Sequence, residues 1–207
     1  MARNEALYQA VYKGDREAAD KGVKAALDAG EDVASLLDET LIPAMQQIGE
    51  DFECGQAFVP EMLVAARAMN TALEHIQPRL DDAGIEPKGK VAAGTVKGDL
   101  HDIGKNLVAM MLKGAGYAVD DLGVDCGPQD FEKAVENGAQ VVLLSALLTT
   151  TMPVMKQIVE HLKPKFPDVT ILIGGAPVTE EFAESIGADG YGATATQAVP
   201  LVQRCFS

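Results

Sequence analysis

Apolar residues in the first 80 positions recur at the spacing that places them on one face of a helix. They predict four helices, over residues 3–12, from Asp15 to near Gly30, after Asp32, and from Pro60 onward. The apolar faces of the third and fourth helices are Leu37, Leu41, Met45, Ile48 and Phe52, and Met62, Ala65, Met69, Leu73 and Ile76. Since the connections between the helices are short, this segment is predicted to form a four-helix bundle.

From residue 90 onward, short apolar runs alternate with amphipathic segments. The predicted strands are 90–96, 117–122, 140–145, 169–173 and 189–191. The predicted helices are 103–115, 128–137, 151–163, 178–186 and 195–204. This alternation indicates an α/β domain with a five-stranded, parallel, doubly wound sheet of the flavodoxin-like, Rossmann type.

A polar segment with Gly and Pro, residues 81–89, separates these two patterns. It predicts a linker between a helical domain at 1–80 and an α/β domain at 90–207.

Composition excludes several classes of partner. The net charge is −14, so a nucleic acid or an anionic membrane is not an expected partner. The N-terminal residues lack the apolar segment of a signal peptide, and no apolar run approaches the roughly 20 residues that span a bilayer. The three cysteines lie far apart, which argues against a disulfide framework and a zinc site. The protein is therefore expected to be cytoplasmic.

A turn between the first predicted strand and the next helix has residues suited to a metal site. Residues 94–106 read Gly-Thr-Val-Lys-Gly-Asp-Leu-His-Asp-Ile-Gly-Lys-Asn, and His101 is one of only three histidines. A metal-bound imidazole usually passes its other N–H to a carboxylate, and Asp99 is close enough in sequence to accept it. Asp102, on the other side, is expected to cap or start the helix.

The same turn does not match a nucleotide-binding loop. Gly98 and Gly104 are separated by one residue too many for a phosphate-binding loop, and Asn106 follows the lysine where Ser or Thr is required. These glycines would instead let a bulky ligand approach the backbone. No other His or Cys lies nearby in sequence, and a single protein ligand suits a metal that brings its own macrocycle.

Three segments that each follow a predicted strand carry a resemblance to a known family. Asp-x-His-x-x-Gly at 99–104, Ser-x-Leu at 145–147 and Gly-Gly at 174–175 resemble the three-part signature of cobalamin-binding domains. Residues 94–106 and the run Ser-Ala-Leu-Leu-Thr-Thr-Thr-Met at 145–152 resemble corrinoid proteins of methyltransferase systems and the cobalamin module of methionine synthase.

This resemblance implies a cobalamin or a related corrinoid that is bound base-off, with a histidine replacing dimethylbenzimidazole on cobalt. By it, His101 is the lower axial ligand of cobalt and Asp99 its hydrogen-bond partner. Thr151 takes the hydroxyl position that is a serine in methionine synthase. Further implied cofactor contacts are Gly98, Leu100, Asp102, Gly104, Ser145, Leu147, Thr149, Gly174, Gly175 and Ala195.

The resemblance extends to the helical segment. In the family, a four-helix cap covers the upper, methyl-bearing face of the corrin, and residues 52–61 are similar to the stretch between its third and fourth helices. By that similarity, Phe52 and Val59 would lie over the corrin with Met62 close by. The alternative is that all three belong to the core of the bundle.

The implied function is that of a methyl carrier rather than a complete enzyme. Its Co(I) corrinoid would accept a methyl group on a substrate-specific methyltransferase, and the methyl-Co(III) form (methylcobalamin) would pass it to tetrahydrofolate or a thiol such as coenzyme M on a second methyltransferase. Reactivation after oxidation would need an external reductive activase, since the sequence has no cysteine cluster for an iron–sulfur centre. Because the partner recognises the donor, methanol, methylamines, quaternary amines and aryl methyl ethers stay open.

Three alternatives to the methyl-carrier function remain open. The cobalamin-binding small subunit of an adenosylcobalamin-dependent mutase would share the turn and the sheet, but the helical cap argues against it. A cobalamin-responsive regulator is opposed by the acidic charge and the lack of a DNA-binding domain. The third alternative is an α/β domain that binds no cofactor.

Overall fold

The computed structural model of the protein describes residues 3–82 and 86–206 and divides into two compact units. The first contains the described residues up to Pro87 together with 113–116, and the second contains the others. The helix before the predicted linker continues to Asp82, and residues 83–85 of that linker lie outside the described residues.

The first unit is helical, as its apolar spacing predicts. Side chains of Asn4, Asp15 and Asp32 cap the first three helices by accepting a hydrogen bond from the backbone N–H three residues on. The fully buried residues Leu41, Met62, Met69 and Ile76, with Met45 and Ile48, lie on the predicted apolar faces. The helices are α1 (Glu5–Tyr12), α2 (Arg16–Asp28), α3 (Val33–Ser35), α4 (Ile42–Glu53) and α5 (Val59–Asp82).

The helix predicted after Asp32 is not a continuous α-helix. A π-helical segment, Leu36–Leu41, joins α3 to α4, and the Ile42 N–H donates to the Leu37 carbonyl five residues earlier. Pro43 follows directly, and proline has no amide hydrogen and a ring that conflicts with the carbonyl four residues before it. The wider turn places Pro43 in the first turn of α4, where proline is tolerated.

The second unit has the predicted α/β fold, with all strand pairs parallel and the order β2-β1-β3-β4-β5. The strands are β1 (Lys90–Val96), β2 (Ala118–Cys126), β3 (Val141–Ser145), β4 (Thr170–Gly174) and β5 (Gly190–Gly192). Helices α6 (Ile103–Gly114), α7 (Pro128–Glu136), α8 (Met152–Leu162), α9 (Glu180–Ile186) and α10 (Ala195–Cys205) follow the strands in turn.

The strand register divides the sheet into two faces. One face joins α7, α8 and α9 in a buried core that includes Ala92, Val142, Leu144, Ile171, Phe131, Met155, Ile158 and Ile186. The other face has a layer formed by Ala93, Leu143, Leu172 and Gly190. Two positions further along the strands, on this same face, lie Thr95, Ser145, Gly174 and Gly192. Small residues therefore dominate the layer at the carboxyl ends of the strands.

The cysteines are free thiols, as their spacing predicts. Burial is the main cause that raises the pKa of Cys126 to about 11, so this thiol stays protonated at neutral pH.

Within residues 3–82 and 86–206, we find no helix whose length and hydrophobicity would allow it to span a membrane.

Candidate functional site

The predicted turn joins the end of β1 to the start of α6 and is tied to the end of β2. Gly98 has a φ of +85°, in the left-handed region that favours glycine. Its N–H donates to Asp125 Oδ1 at 2.7 Å, and the Asp125 N–H donates to the Asp99 carbonyl at 3.2 Å. The turn is therefore held by side-chain and main-chain bonds from a neighbouring strand.

Asp99 is fully buried, and five hydrogen bonds converge on its carboxylate. Oδ1 accepts from the His101 N–H at 3.0 Å and lies 2.7 Å from His101 Nδ1. Oδ2 accepts from the N–H groups of Leu147 and Leu148 at 2.7 and 3.2 Å. The Thr151 hydroxyl lies 3.0 Å from the same oxygen and 2.9 Å from the Leu148 carbonyl. The carboxylate thus links the turn to the loop after β3.

Burial alone would raise the pKa of Asp99. Hydrogen bonds from the Leu147 N–H, from His101 and from Thr151 outweigh that effect and hold the pKa of this carboxyl well below its usual range. Asp99 is therefore an anion at neutral pH, although it has no contact with solvent.

The geometry of His101 leaves one ring nitrogen available. Because an ionised carboxylate can only accept, Nδ1 of the neutral ring carries the hydrogen and Nε2 carries the lone pair. The side chain is 53% exposed, and the Thr95 hydroxyl donates to the His101 carbonyl at 3.1 Å. Among the described residues, no three His, Cys, Asp or Glu side chains are grouped so that they could hold a metal ion. His101 Nε2 can therefore supply one ligand to a metal that brings the others.

A cavity of about 570 Å³ opens beside His101, within the size range of small-molecule sites. Its mouth is formed by the turn, by the strand ends and by the start of α10, at residues 100–105, 144–147, 173–176 and 192–195. Its apolar floor, the name used below for these six side chains, consists of Ala93, Leu143, Leu172, Val108, Ala198 and Leu201.

The predicted glycine pair lies at the mouth, where the chain approaches itself closely. Gly175 has a φ of +127°, and a Cβ there would lie 1.8 Å from the Ala146 carbonyl oxygen. A Cβ on Gly174 would lie 2.9 Å from the Gly192 carbonyl oxygen. Both positions thus require glycine so that the loops after β3, β4 and β5 can meet. In contrast, a Cβ on Gly104 would have no heavy atom within 4 Å.

Of the remaining residues predicted to contact the cofactor, some line the cavity and others do not. Leu100, Asp102, Gly104, Ser145, Leu147, Gly174, Gly175 and Ala195 line the cavity. Thr149 is exposed and is not among the described residues that line the cavity. In the first unit, Phe52 in α4 and Val59 at the start of α5 are half-buried, whereas Met62 is fully buried. The cofactor contacts predicted for these last three residues stay predictions.

Three side chains that support the turn and the start of α6 were not predicted from the sequence, namely Lys105, Asp121 and Asp125. Lys105 is buried, its Nζ donates to Asn106 Oδ1 at 2.6 Å, and it also pairs with Asp121. Asp125 binds the Gly98 N–H, as described above. The available signal was that the residues three and four positions after Lys105, Val108 and Ala109, are apolar, which places the lysine on the inward face of the predicted helix, where a lysine is rare unless paired.

The pKa of Asp99 predicts how stability depends on pH. An Asp99→Asn variant cannot accept all five hydrogen bonds. We expect its free energy of unfolding at pH 7 to be lower than that of the wild-type protein by about 2 kcal/mol or more. The folded pKa lies below the usual 3.8, so the stabilisation is complete above that value and is lost as pH falls through the folded pKa. The difference in unfolding free energy should thus shrink toward pH 3.

Thermal and urea unfolding of both proteins between pH 7 and pH 3 measures this difference. Asp102→Asn is the matched control, because Asp102 is half-buried and its carboxylate accepts from Asn106 Nδ2 at 3.0 Å. A difference that stayed constant with pH would contradict the assigned state of Asp99.

Comparison with known proteins extends over both units. The family described as B12 binding domain matches residues 89–199, and a second family with the same description matches residues 3–77. A trimethylamine corrinoid protein of Methanosarcina acetivorans is 44% identical over 94% of this chain and 92% of its own. A corrinoid protein of Desulfitobacterium hafniense is 37% identical over 99% of this chain and 97% of its own.

Comparison with solved structures leads to the same family. A methanol:cobalamin methyltransferase complex from Methanosarcina barkeri contains a chain that superimposes with a TM-score of 0.88 at 29% identity, covering 97% of this chain and 78% of that one. The alternative of a mutase subunit is not favoured by these relatives. The protein belongs to the family of B12-binding corrinoid proteins, the methyl carriers of corrinoid-dependent methyltransferase systems.

Proposed function

We propose that this chain binds its corrinoid base-off with His101 as the lower axial ligand of cobalt. It receives the methyl group on one methyltransferase and delivers it on a second, and an external activase restores it after oxidation. When bound, the corrinoid supplies a nucleophilic cobalt that accepts a methyl group and releases it again. The protein contributes binding, axial ligation and control of a proton.

The residues of the second unit fit such a group. One exposed imidazole nitrogen meets the need of a metal that is already ringed by a macrocycle. Large apolar side chains are exposed around it, with Leu100 71%, Ile103 70% and Leu147 44% exposed, which suits the flat face of a macrocycle. Gly104 beside them adds no side chain to that surface, and the adjoining cavity can take a substituent of the ring.

The Asp99–His101 pair can hold a proton when the imidazole is not bound to a metal. Asp99 is anionic and buried, so it stabilises a positive charge on the ring that it touches at 2.7 Å. When Nε2 binds a metal, that nitrogen has no proton, and Asp99 keeps the ring oriented through Nδ1. Thr151 completes this arrangement by donating to Asp99 Oδ2.

The methyl donor is proposed to be a methylated amine held on a partner methyltransferase. The support for this class is the 44% identity to a trimethylamine corrinoid protein over nearly the full length of both chains. Assay of methyl transfer from trimethylamine, dimethylamine, monomethylamine and methanol with the corresponding methyltransferases tests it. A preference for methanol would overturn this donor class and leave the carrier function intact.

The observation that carries the axial-ligand proposal is the 2.7 Å contact between His101 Nδ1 and the anionic Asp99, which presents Nε2 as a ligand. The test is electron paramagnetic resonance of the protein loaded with cobalamin in the cobalt(II) state. We expect nitrogen splitting that changes from a triplet to a doublet when histidine is labelled with nitrogen-15. If the splitting stayed unchanged on labelling, the axial nitrogen would belong to the cofactor, and the proposal would be wrong.

A further inference from the structure

The cavity beside His101 changes in character with depth. Ser145 and Gly174 belong to the strand layer at the mouth, and Leu143 and Leu172 belong to the layer two positions deeper on the same face. Leu147, next to Ser145 at the mouth, is 44% exposed, whereas Leu143 in the deeper layer is 9% exposed and its neighbour Ala93 is fully buried. The floor is therefore a distinct environment within the cavity.

The apolar floor offers no hydrogen bond from a side chain. Its six members are alanine, valine and leucine residues from β1, β3, β4, α6 and α10. The main chains of the three strands are paired with one another in the sheet along this stretch. A ligand group on the floor would consequently lose its water and gain only apolar contacts.

The polar groups of the cavity lie at its mouth. They include Ser145 at the end of β3, Thr194 at the start of α10 and the turn with Asp102. The ammonium of Lys105 is already held by Asn106 and Asp121. A ligand that fits this distribution has a polar portion near the opening and an apolar end at the floor.

We infer that this cavity selects the nucleotide base of the corrinoid, favouring a benzimidazole with apolar ring edges over an aminopurine such as adenine. The inference rests on the proposed function, because base-off binding frees the base from cobalt. The carbon edges and methyl groups of dimethylbenzimidazole match the floor. The exocyclic amine and ring nitrogens of adenine would lose hydrogen bonds to water without replacement.

The test is equilibrium binding of the full-length apoprotein to three corrinoids with the same ring. They carry dimethylbenzimidazole, adenine or no nucleotide tail at all, and binding is followed by visible absorbance and equilibrium dialysis. We expect the adenine form to bind roughly 10- to 100-fold more weakly than the dimethylbenzimidazole form. Benzimidazole is the more basic ligand and costs more to detach from cobalt, so that step opposes the expected preference.

Two neighbouring alanines of β1 provide a matched pair of variants. Ala93 lies on the floor and Ala92 on the opposite face of the sheet, and both are fully buried. Ala93→Ser adds a hydroxyl to the floor, and we expect it to reduce the preference for dimethylbenzimidazole several-fold. Ala92→Ser adds the same group to the other core and should leave the ratio of the two dissociation constants unchanged.

The outcomes separate the inference from the function on which it depends. Equal affinity of the wild-type protein for the dimethylbenzimidazole and adenine forms overturns the inference and leaves the carrier function standing. So does equal affinity for the tail-free form, because the cavity would then not receive the base. Failure to bind any of the three overturns both. The comparison with wild-type protein decides the question even if a variant does not fold.

Discussion

In a His101→Ala variant loaded with cobalamin, we expect the nitrogen splitting of the cobalt(II) spectrum to disappear and methyl transfer to slow by more than about 100-fold. Loss of a group that only orients a metal ligand typically costs 10- to 100-fold, and here the ligand itself is removed. Asp99 would also keep its negative charge in a buried site without the ring that it orients. Spectra and single-turnover methyl transfer measure the two effects.

The chain offers a matched control for this variant. His161 Nε2 lies 2.6 Å from Glu132, so it also pairs with a carboxylate, but on the surface formed by α7 and α8. His161→Ala removes the same side chain and should leave the spectrum and the methyl-transfer rate near wild type. Equal behaviour of the His101→Ala variant and the wild-type protein would end the axial-ligand proposal.

A Gly175→Ala variant is expected to lose about 3 kcal/mol or more of folding free energy in the second unit, because overlap and backbone strain add. The new Cβ would lie 1.8 Å from the Ala146 carbonyl oxygen, and the φ of +127° is one that residues with a side chain rarely adopt. Neither strand end can move freely, since Ser145 and Gly174 are paired in the sheet. Urea unfolding followed by circular dichroism measures the loss.

The Gly104→Ala variant tests whether glycine is needed at this position for ligand binding rather than for folding. Gly104 lies in the first turn of α6, and a Cβ there meets no heavy atom within 4 Å. We expect stability to be unchanged or to rise by roughly 0.5–1 kcal/mol, as for other Gly→Ala changes within helices. The added methyl group faces the proposed ligand site, so cobalamin should bind more weakly. A Gly175→Ala variant as stable as Gly104→Ala would refute the packing requirement at Gly175.

The alternation of strands and helices could be predicted from sequence, whereas the end of β2 could not. The run at 90–96 is almost continuously apolar because β1 is central in the sheet, and its predicted bounds match the structure. β2 continues to Cys126, four residues beyond its predicted end. It is an edge strand whose register shifts twice against β1, so its last residues do not follow the alternation on which the prediction relied.

The candidate site shows a similar division. Asp99 and His101 could be paired from sequence because two residues in an extended turn bring their side chains together. The hydrogen bonds from the Leu147 and Leu148 N–H groups could not be predicted, because every residue except proline has such a donor. Only the fold brings the loop after β3 to Asp99. The role of Lys105 in α6 was missed because its partner Asp121 lies 16 residues away on β2.

Asp121 and Asp125 also influence whether the edge of the sheet can pair with another molecule, because both lie on the edge strand β2. A nine-residue strand at the edge of a sheet exposes unpaired backbone groups that could pair with a strand from another molecule. These two exposed carboxylates, with Asp120 and the two register shifts against β1, make that edge charged and irregular. Replacing Asp121 or Asp125 by an apolar residue would therefore weaken the support of the turn and also remove a barrier against aggregation.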